Sequence, residues 1–159
     1  MHALICLVRH GATDWNYDGR AQGLADIPLN LEGKRQAEVV AARLARESWD
    51  GLYSSPLKRA MATAEAIGRQ TGLGVCPEPG LIERDVTPIE GTTHLERDLR
   101  WPGGAYRELP GMESMAAVAV RAAACLQELA ARHPGGRLVC VSHGGWIYSF
   151  LEAQGFRTG

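Results

Sequence analysis

Two histidines and two arginines stand where a folded chain can gather them. Arg9 and His10 follow the apolar run Ala3 to Val8, Arg59 lies just beyond the short run Gly51 to Ser54, and His143 follows Leu138 to Val141. Imidazole is a nucleophile only when neutral, and a reference pKa near about 6.5 makes that form available at neutral pH. Guanidinium forks match phosphate oxygens in bidentate fashion, so Arg9, Arg59 and His143 around His10 describe a compact anion site. Phosphoryl transfer asks mainly for positioning and charge neutralisation, which these groups supply without a metal. A leaving alkoxide then needs a proton and an incoming water must lose one, work for a carboxyl that alternates between acid and base. Glu83, in a glycine- and proline-rich stretch, is the candidate. Gly11 allows the backbone a tight turn beneath the phosphate. Taken singly each residue has an ordinary reading: a structural histidine at a strand end, a solvated helix arginine, an exposed loop carboxylate. Their joint placement at strand ends and in a loop region outweighs those readings, because ligands of open parallel sheets bind beyond the carboxyl ends of the strands.

The elements that must position them are readable. Ala3 to Val8 has no alternation, as expected of a strand buried on both faces. Ala37, Val40, Ala41, Leu44 and Ala45 recur at helical spacing between Leu31 and about Glu47, with Asn30 as N-cap. Gly51 to Ser54 reads as a second strand. Ser55-Pro56 reads as an N-cap and first helical position, opening a helix to about Thr71 whose positive end would face the anion site. From Gly72 to Met112 glycine and proline punctuate the chain, so a short strand near Val75 and a loop-rich cap at about 84–112 are expected. Ser114 to about Arg132 is an alanine-rich helix stopped by His133-Pro134-Gly135-Gly136; Leu138 to Val141 is a strand, and a last helix runs from about Trp146 to Gln154. Alternating strands and helices imply an α/β fold, a three-layer α/β/α sandwich around a mostly parallel sheet, in a single domain over 1–159.

Composition narrows the function classes. The chain has 159 residues, 45% hydrophobic, with 17 Lys and Arg against 18 Asp and Glu and a net charge of −1, so no general basic field invites nucleic acid or a membrane surface. No apolar run approaches a membrane span, and the Met1-His2 start lacks a charged leader region. Cys6, Cys76, Cys125 and Cys140 form no C-x-x-C pair and read as small core hydrophobes. No metal and no cofactor are expected, and the compartment that fits is cytoplasmic.

The residues also carry a resemblance. Leu7-Val-Arg-His-Gly-Ala-Thr-Asp-Trp-Asn16 resembles the signature of the histidine phosphatase superfamily, the phosphoglycerate mutase-like proteins. The likeness continues through Gly19-Arg-Ala-Gln-Gly23, Asp26-Ile-Pro-Leu29, Ser54-Ser-Pro-Leu-Lys-Arg-Ala60, Leu81-Ile-Glu-Arg84, Glu90-Gly91, Met112-Glu-Ser114 and Val141-Ser-His-Gly-Gly145, in family order over nearly the whole chain. It implies a phosphoglycerate mutase-like fold and a phosphomonoester hydrolase acting through a phosphohistidine. It implies His10 as nucleophile, Arg9, Arg59 and His143 as holders of the phosphoryl oxygens, and Glu83 as proton donor. Gly11, Thr13, Asn16, Gln22, Gly23 and Gly144 are expected to complete the substrate pocket, and a small phosphorylated metabolite is the expected partner.

Departures from the pattern shape the rest. Pro88-Ile89 stands where family members often carry an aromatic before Glu90-Gly91, which implies a different cap shape. The stretch between Glu83 and Glu113 is short beside the long insertions of the mutases, favouring a small-capped phosphatase over the alternative, a bisphosphoglycerate-dependent phosphoglycerate mutase. That alternative needs basic residues for a substrate carboxylate; Arg84, Arg97, Arg100 and Arg107 lie near the cap, where solvated loop charges are the plainer reading. Trp101 and Tyr106 are candidates for a substrate wall. The sequence ends at Gly159, before the last strand common in the family, which implies one fewer edge strand or an edge covered in a homodimer.

Overall fold

The computed structural model describes residues 2–156; Met1 and residues 157–159, on which the expectations about the chain's start and end rest, lie outside them. Four strands, β1 (Leu4–Arg9), β2 (Gly51–Ser54), β3 (Val75–Pro77) and β4 (Arg137–Ser142), form one sheet in the order β1-β4-β2-β3, every pair parallel. The central strand β4 divides the core by alternation. Val139 and Val141 face one hydrophobic cluster with Ala37, Ala41, Ala60, Ala64 and Ile67, contributed by α2 (Leu31–Leu44) and α3 (Lys58–Thr71). Leu138 and Cys140 face the other, with Val118, Leu129 and Trp146 from α5 (Met115–Arg132) and α6 (Gly144–Ala153). Strands covered on both faces have no polar side to alternate with, which is why β4 reads as a plain apolar run. Each large core side chain contributes about 1.5–3 kcal/mol of burial free energy. The result is the expected sandwich, helices on both sides of a parallel sheet.

Register sets the site. Val141 is the register partner of both Val8 and Ser54, so β1, β4 and β2 end level. His10 N then donates to Ser142 O at 3.1 Å and Ser55 N to Val141 O at 2.9 Å, which extends the sheet by one step and sets His10, Ser55 and His143 on one rim.

Several boundaries differ from the sequence reading, for identifiable reasons. The helix expected from Pro56 begins at Lys58, and its N-cap residue, Leu57, makes no side-chain cap. The Ser55 hydroxyl lies 2.7 Å from His143 Nε2 and accepts only from Leu57 N, at 3.4 Å, ahead of the helix; Asp26 Oδ1 accepts from Lys58 N, at 2.7 Å. The last helix starts at Gly144, two residues early, because Glu83 takes its free N–H groups. The stretch 84–112 holds 3-10 turns at Thr87–Ile89 and Pro102–Glu108 together with a helix, α4 (His94–Arg100), started by a Thr93–Glu96 capping box among the punctuating glycines. A second short helix, α1 (Asp14–Tyr17), is closed by reciprocal hydrogen bonds between Thr13 and Asn16. Of the cysteines, Cys125 and Cys140 are buried, with burial pushing the Cys140 thiol up to about 12, and Cys6 is half-buried. Cys76 departs from the expected core role: it is exposed on the edge strand β3.

Candidate active site

The rim residues open into a cavity of about 310 Å³ lined by Arg9, His10, Asn16, Gln22, Gly23, Arg59, Glu83 and Gly144, and on the outer side by Arg20, Arg84, Val86, Ile89, Arg97 and Tyr106. Nine of the eleven expected site positions thus border one space or, for His143, a ring at its floor: the His143 and His10 ring centroids are 5.1 Å apart. Gly11 and Thr13 lie behind it.

His10 is 8% exposed, and its Nδ1 stands 2.7 Å from the carbonyl of its own neighbour, Gly11. A carbonyl only accepts, so Nδ1 carries the proton and Nε2 the lone pair. Burial holds the ring neutral, with Arg59 and Arg9 adding to the effect over the opposing Gly11 bond, and its pKa falls to about 4. His143 is fully buried and is driven well below its ordinary value, first by desolvation and then by Arg59 and His10. Its Nε2 stands 2.7 Å from the Ser55 hydroxyl, which leaves Nδ1 as the ring nitrogen without a partner.

Arg59 sits in the first turn of α3, 1% exposed, with Nη1 donating to Ala25 O at 2.6 Å and Nη2 to Gly23 O at 2.8 Å. Arg59 Nε and His143 Nδ1 are the two buried side-chain polar atoms without a hydrogen-bond partner among the described residues. A buried polar atom left unpaired costs about 1–3 kcal/mol, so two in the wall and floor of one cavity are unusual for a folded interior.

Among the described residues Glu83 is the only carboxylate lining the cavity. It spans the start of α6: Oε2 accepts from Gly145 N at 3.0 Å, and Oε1 from Trp146 N and Arg84 N, both at 2.8 Å. Its main chain is pinned by Arg121 of α5, which donates to Ile82 O at 2.8 Å and Glu83 O at 3.0 Å while forming a bidentate pair with Glu113.

The residues behind the wall work through the backbone. Gly11 N donates to Thr63 Oγ1 at 3.2 Å, and a Cβ on Gly11 would stand 2.3 Å from Gly33 O, so α2 comes within contact of the loop after His10. Thr13 Oγ1 donates to Gln22 Oε1 at 2.9 Å and so aims the Gln22 amide. Ser55 and Thr63 had been assigned no part in the site by sequence reasoning; Ser55 reads equally well as a helix cap, and Thr63 is one helical turn from Arg59, the one signal available. Arg20, within the Gly19 to Gly23 block, was also missed, whereas Tyr106 lines the cavity as expected and Trp101 does not.

A neutral histidine, a buried guanidinium with a free N–H and a carboxylate at the carboxyl rim of a parallel sheet define an enzyme site for phosphoryl groups. Residues 5–155 match the histidine phosphatase superfamily (branch 1), and the chain belongs to that family. It is 39% identical over 147 residues to phosphoserine phosphatase 1 of Hydrogenobacter thermophilus, covering 87% of this chain and 70% of that protein. It is 37% identical over 153 residues to a probable phosphoglycerate mutase of Photorhabdus laumondii, covering 88% and 69%. Among solved structures, a mycobacterial glucosyl-3-phosphoglycerate phosphatase in complex with VO3 superposes with a TM-score of 0.86 at 35% identity, over 92% of this chain and 79% of that one. The chain is a phosphatase of this superfamily.

Proposed function

We propose that this enzyme hydrolyses phosphomonoesters of small metabolites, with His10 as the nucleophile. The observation that carries the reading is the pair of unpartnered buried polar atoms, Arg59 Nε and His143 Nδ1, near an imidazole whose Nδ1 is tied to the Gly11 carbonyl. His10 Nε2 attacks phosphorus as the ester oxygen leaves, and Arg9, Arg59 and His143 take up the phosphoryl oxygens. Asn16, the Gln22 side chain, Gly23 and Gly144 line the ester's path, while Gly11 and Thr13 serve by holding the loop beneath it. Glu83 gives the leaving oxygen its proton and takes one from the water that then cleaves the phosphohistidine. No metal enters the scheme, since charge neutralisation falls to the guanidinium groups. The four free thiols fit a cytoplasmic setting, and β1, an edge strand among the described residues, is where a second copy would pair, which sedimentation over a range of concentrations tests.

A panel of phosphomonoesters assayed for phosphate release, with 3-phosphoglycerate plus 2,3-bisphosphoglycerate followed for isomerisation, is the deciding experiment. Phosphate release that survives EDTA, an acid-labile phosphate adduct in the intact mass and loss of both in His10→Ala are expected. Isomerisation without release would make the enzyme a mutase. Glu83→Gln should lower kcat for alkyl phosphates by about 10² to 10⁴. With p-nitrophenyl phosphate, whose leaving group needs little proton, it should give a nitrophenol burst followed by slow turnover. Equal losses on both substrates without a burst would remove Glu83 from the acid–base role.

A further inference from the structure

The Arg59 guanidinium is buried with no carboxylate within ion-pair distance among the described residues; what it touches is main chain. The peptide unit that accepts its Nη2 joins Gly23 to Leu24, and the N–H of that same unit donates to Glu90 Oε1 at 2.5 Å. The same carboxylate oxygen accepts from Ala25 N at 3.1 Å, and Ala25 O holds Nη1 of Arg59. One peptide group therefore sits between a carboxylate on its N–H side and a guanidinium on its C=O side, an alignment in which each charge polarises the bond to the other. Gly23 makes the approach possible. Its φ is +50°, and a Cβ there would lie 2.4 Å from Glu90 Oε1 and 2.6 Å from Val86 Cγ2. Glu90 follows the Thr87–Ile89 turn in the cap and does not line the cavity, so it does not meet the substrate.

We propose that Glu90 is a positioning residue for Arg59: by clamping the 23–25 loop it fixes the two carbonyls that hold both Nη atoms, and so leaves Nε free and aimed at the phosphoryl group. The inference rests on the phosphoryl-site reading above. Burial lowers the Arg59 pKa, and the charges of Glu83, Asp26 and, least, Glu90 oppose that fall. Glu90 thereby links the cap to the catalytic floor: a displaced cap would release the loop and let Arg59 turn.

The test uses orthovanadate and inorganic phosphate binding by calorimetry, kcat and KM with p-nitrophenyl phosphate, and thermal melting, on the whole chain. Glu90→Gln keeps an acceptor at the same reach, whereas Glu90→Asp keeps the charge and draws it back by one methylene. Misplacing a group by about 1 Å costs up to about 10²-fold in transfer, so Glu90→Asp should lose about ten- to a hundredfold in kcat/KM and weaken vanadate binding, and Glu90→Gln should lose less. In a double-mutant cycle with Arg59→Lys, the Glu90→Asp loss should largely vanish, because a residue acting through Arg59 has nothing left to position. Additive losses in the cycle, or a Glu90→Gln loss exceeding that of Glu90→Asp, would overturn the proposal, as would a lowered melting temperature with unchanged vanadate binding. Failure of the unmodified enzyme to bind either anion would instead sink the phosphoryl-site reading itself.

Discussion

At the scale of the residue, the decisive feature is that two imidazoles are kept neutral by burial, with the neighbouring arginines adding to the effect. His10 falls to about 4 and His143 well below its ordinary value, in both cases chiefly through burial. In the unfolded chain both titrate near about 6.5, so below that pH the unfolded state binds more protons than the folded one. Stability contributed by a neutral His10 is therefore complete above about pH 6.5 and declines as pH falls toward 4, by about 3 kcal/mol over that window for His10 alone. Urea unfolding between pH 7.5 and 4.5 should show a falling midpoint, and the fall should shrink in His10→Asn, which has no imidazole to charge. The same shift keeps the nucleophile competent in acid: kcat/KM should hold down to about pH 5, where a free imidazole would be almost wholly protonated. An acid limb with its midpoint near 6.5, unaffected by the identity of the ester, would contradict the neutral buried state.

At the scale of the element, the sheet and the long helices were legible because their signals are local. Apolar runs without alternation located β1 and β4, and the Asn30 and Ser114 caps open α2 and α5 where expected, with Asn30 Oδ1 accepting from Gly33 N at 2.8 Å. The misplaced starts of α3 and α6 have one cause: the side chain expected to cap, or the end expected to stay open, is used by a residue distant in sequence. Ser55 serves His143, Asp26 caps α3 from outside, and Glu83 closes α6. Such long-range substitutions leave no periodicity to read. The candidate site was legible in the residues at strand ends, and its supporting shell of Ser55, Thr63, Arg121 and Glu90 was not, because those residues act through carbonyls and hydroxyls that the fold alone brings near. The packing of α2 against the first loop gives a test at this scale. A Cβ on Gly33 would stand 2.0 Å from Ala12 O, backbone that cannot swing aside. Gly33→Ala should therefore destabilise by about 1–3 kcal/mol and displace the loop that carries the Gly11 carbonyl, lowering kcat/KM along with the unfolding midpoint. A variant with a lower midpoint but full activity would show that α2 supports the fold without setting the His10 tautomer.

At the scale of the whole molecule, charge is unevenly spent. The chain as a whole carries −1, yet the cavity is lined by Arg9, Arg20, Arg59, Arg84 and Arg97 against the single carboxylate Glu83. Arg97 is 4% exposed and Arg84 is half-buried, and neither forms an ion pair among the described residues; they hold carbonyls instead, Arg97 those of Thr92 and Gly19 and Arg84 those of Glu113 and Arg107. Arg20 donates to Gly91 O at 2.6 Å and is also ion-paired with Asp18 at 3.6 Å and Glu96 at 3.9 Å. These bonds staple the cap to the loop before it, but they leave Arg84 and Arg97 without a carboxylate partner among the described residues, and buried charge is ordinarily paired. If, as proposed, Arg9 and Arg59 take up the phosphoryl group, the outer arginines would favour a substrate with a second anionic group a few bonds from phosphorus. Serine phosphate and ethanolamine phosphate differ by one carboxylate and present the same phosphoryl group and amine. The first should show the higher kcat/KM, by about tenfold for one charge-assisted contact worth about 1.5 kcal/mol or more. Arg84→Met should narrow that ratio chiefly through KM for serine phosphate if Arg84, which lines the cavity, meets the second anionic group rather than the reacting atoms. Rising ionic strength should narrow it too, as screening weakens attraction over distances beyond about 8 Å. Equal kcat/KM for the two esters at low salt would mean that the outer arginines are spent entirely on holding the cap, and that phosphorus alone is recognised.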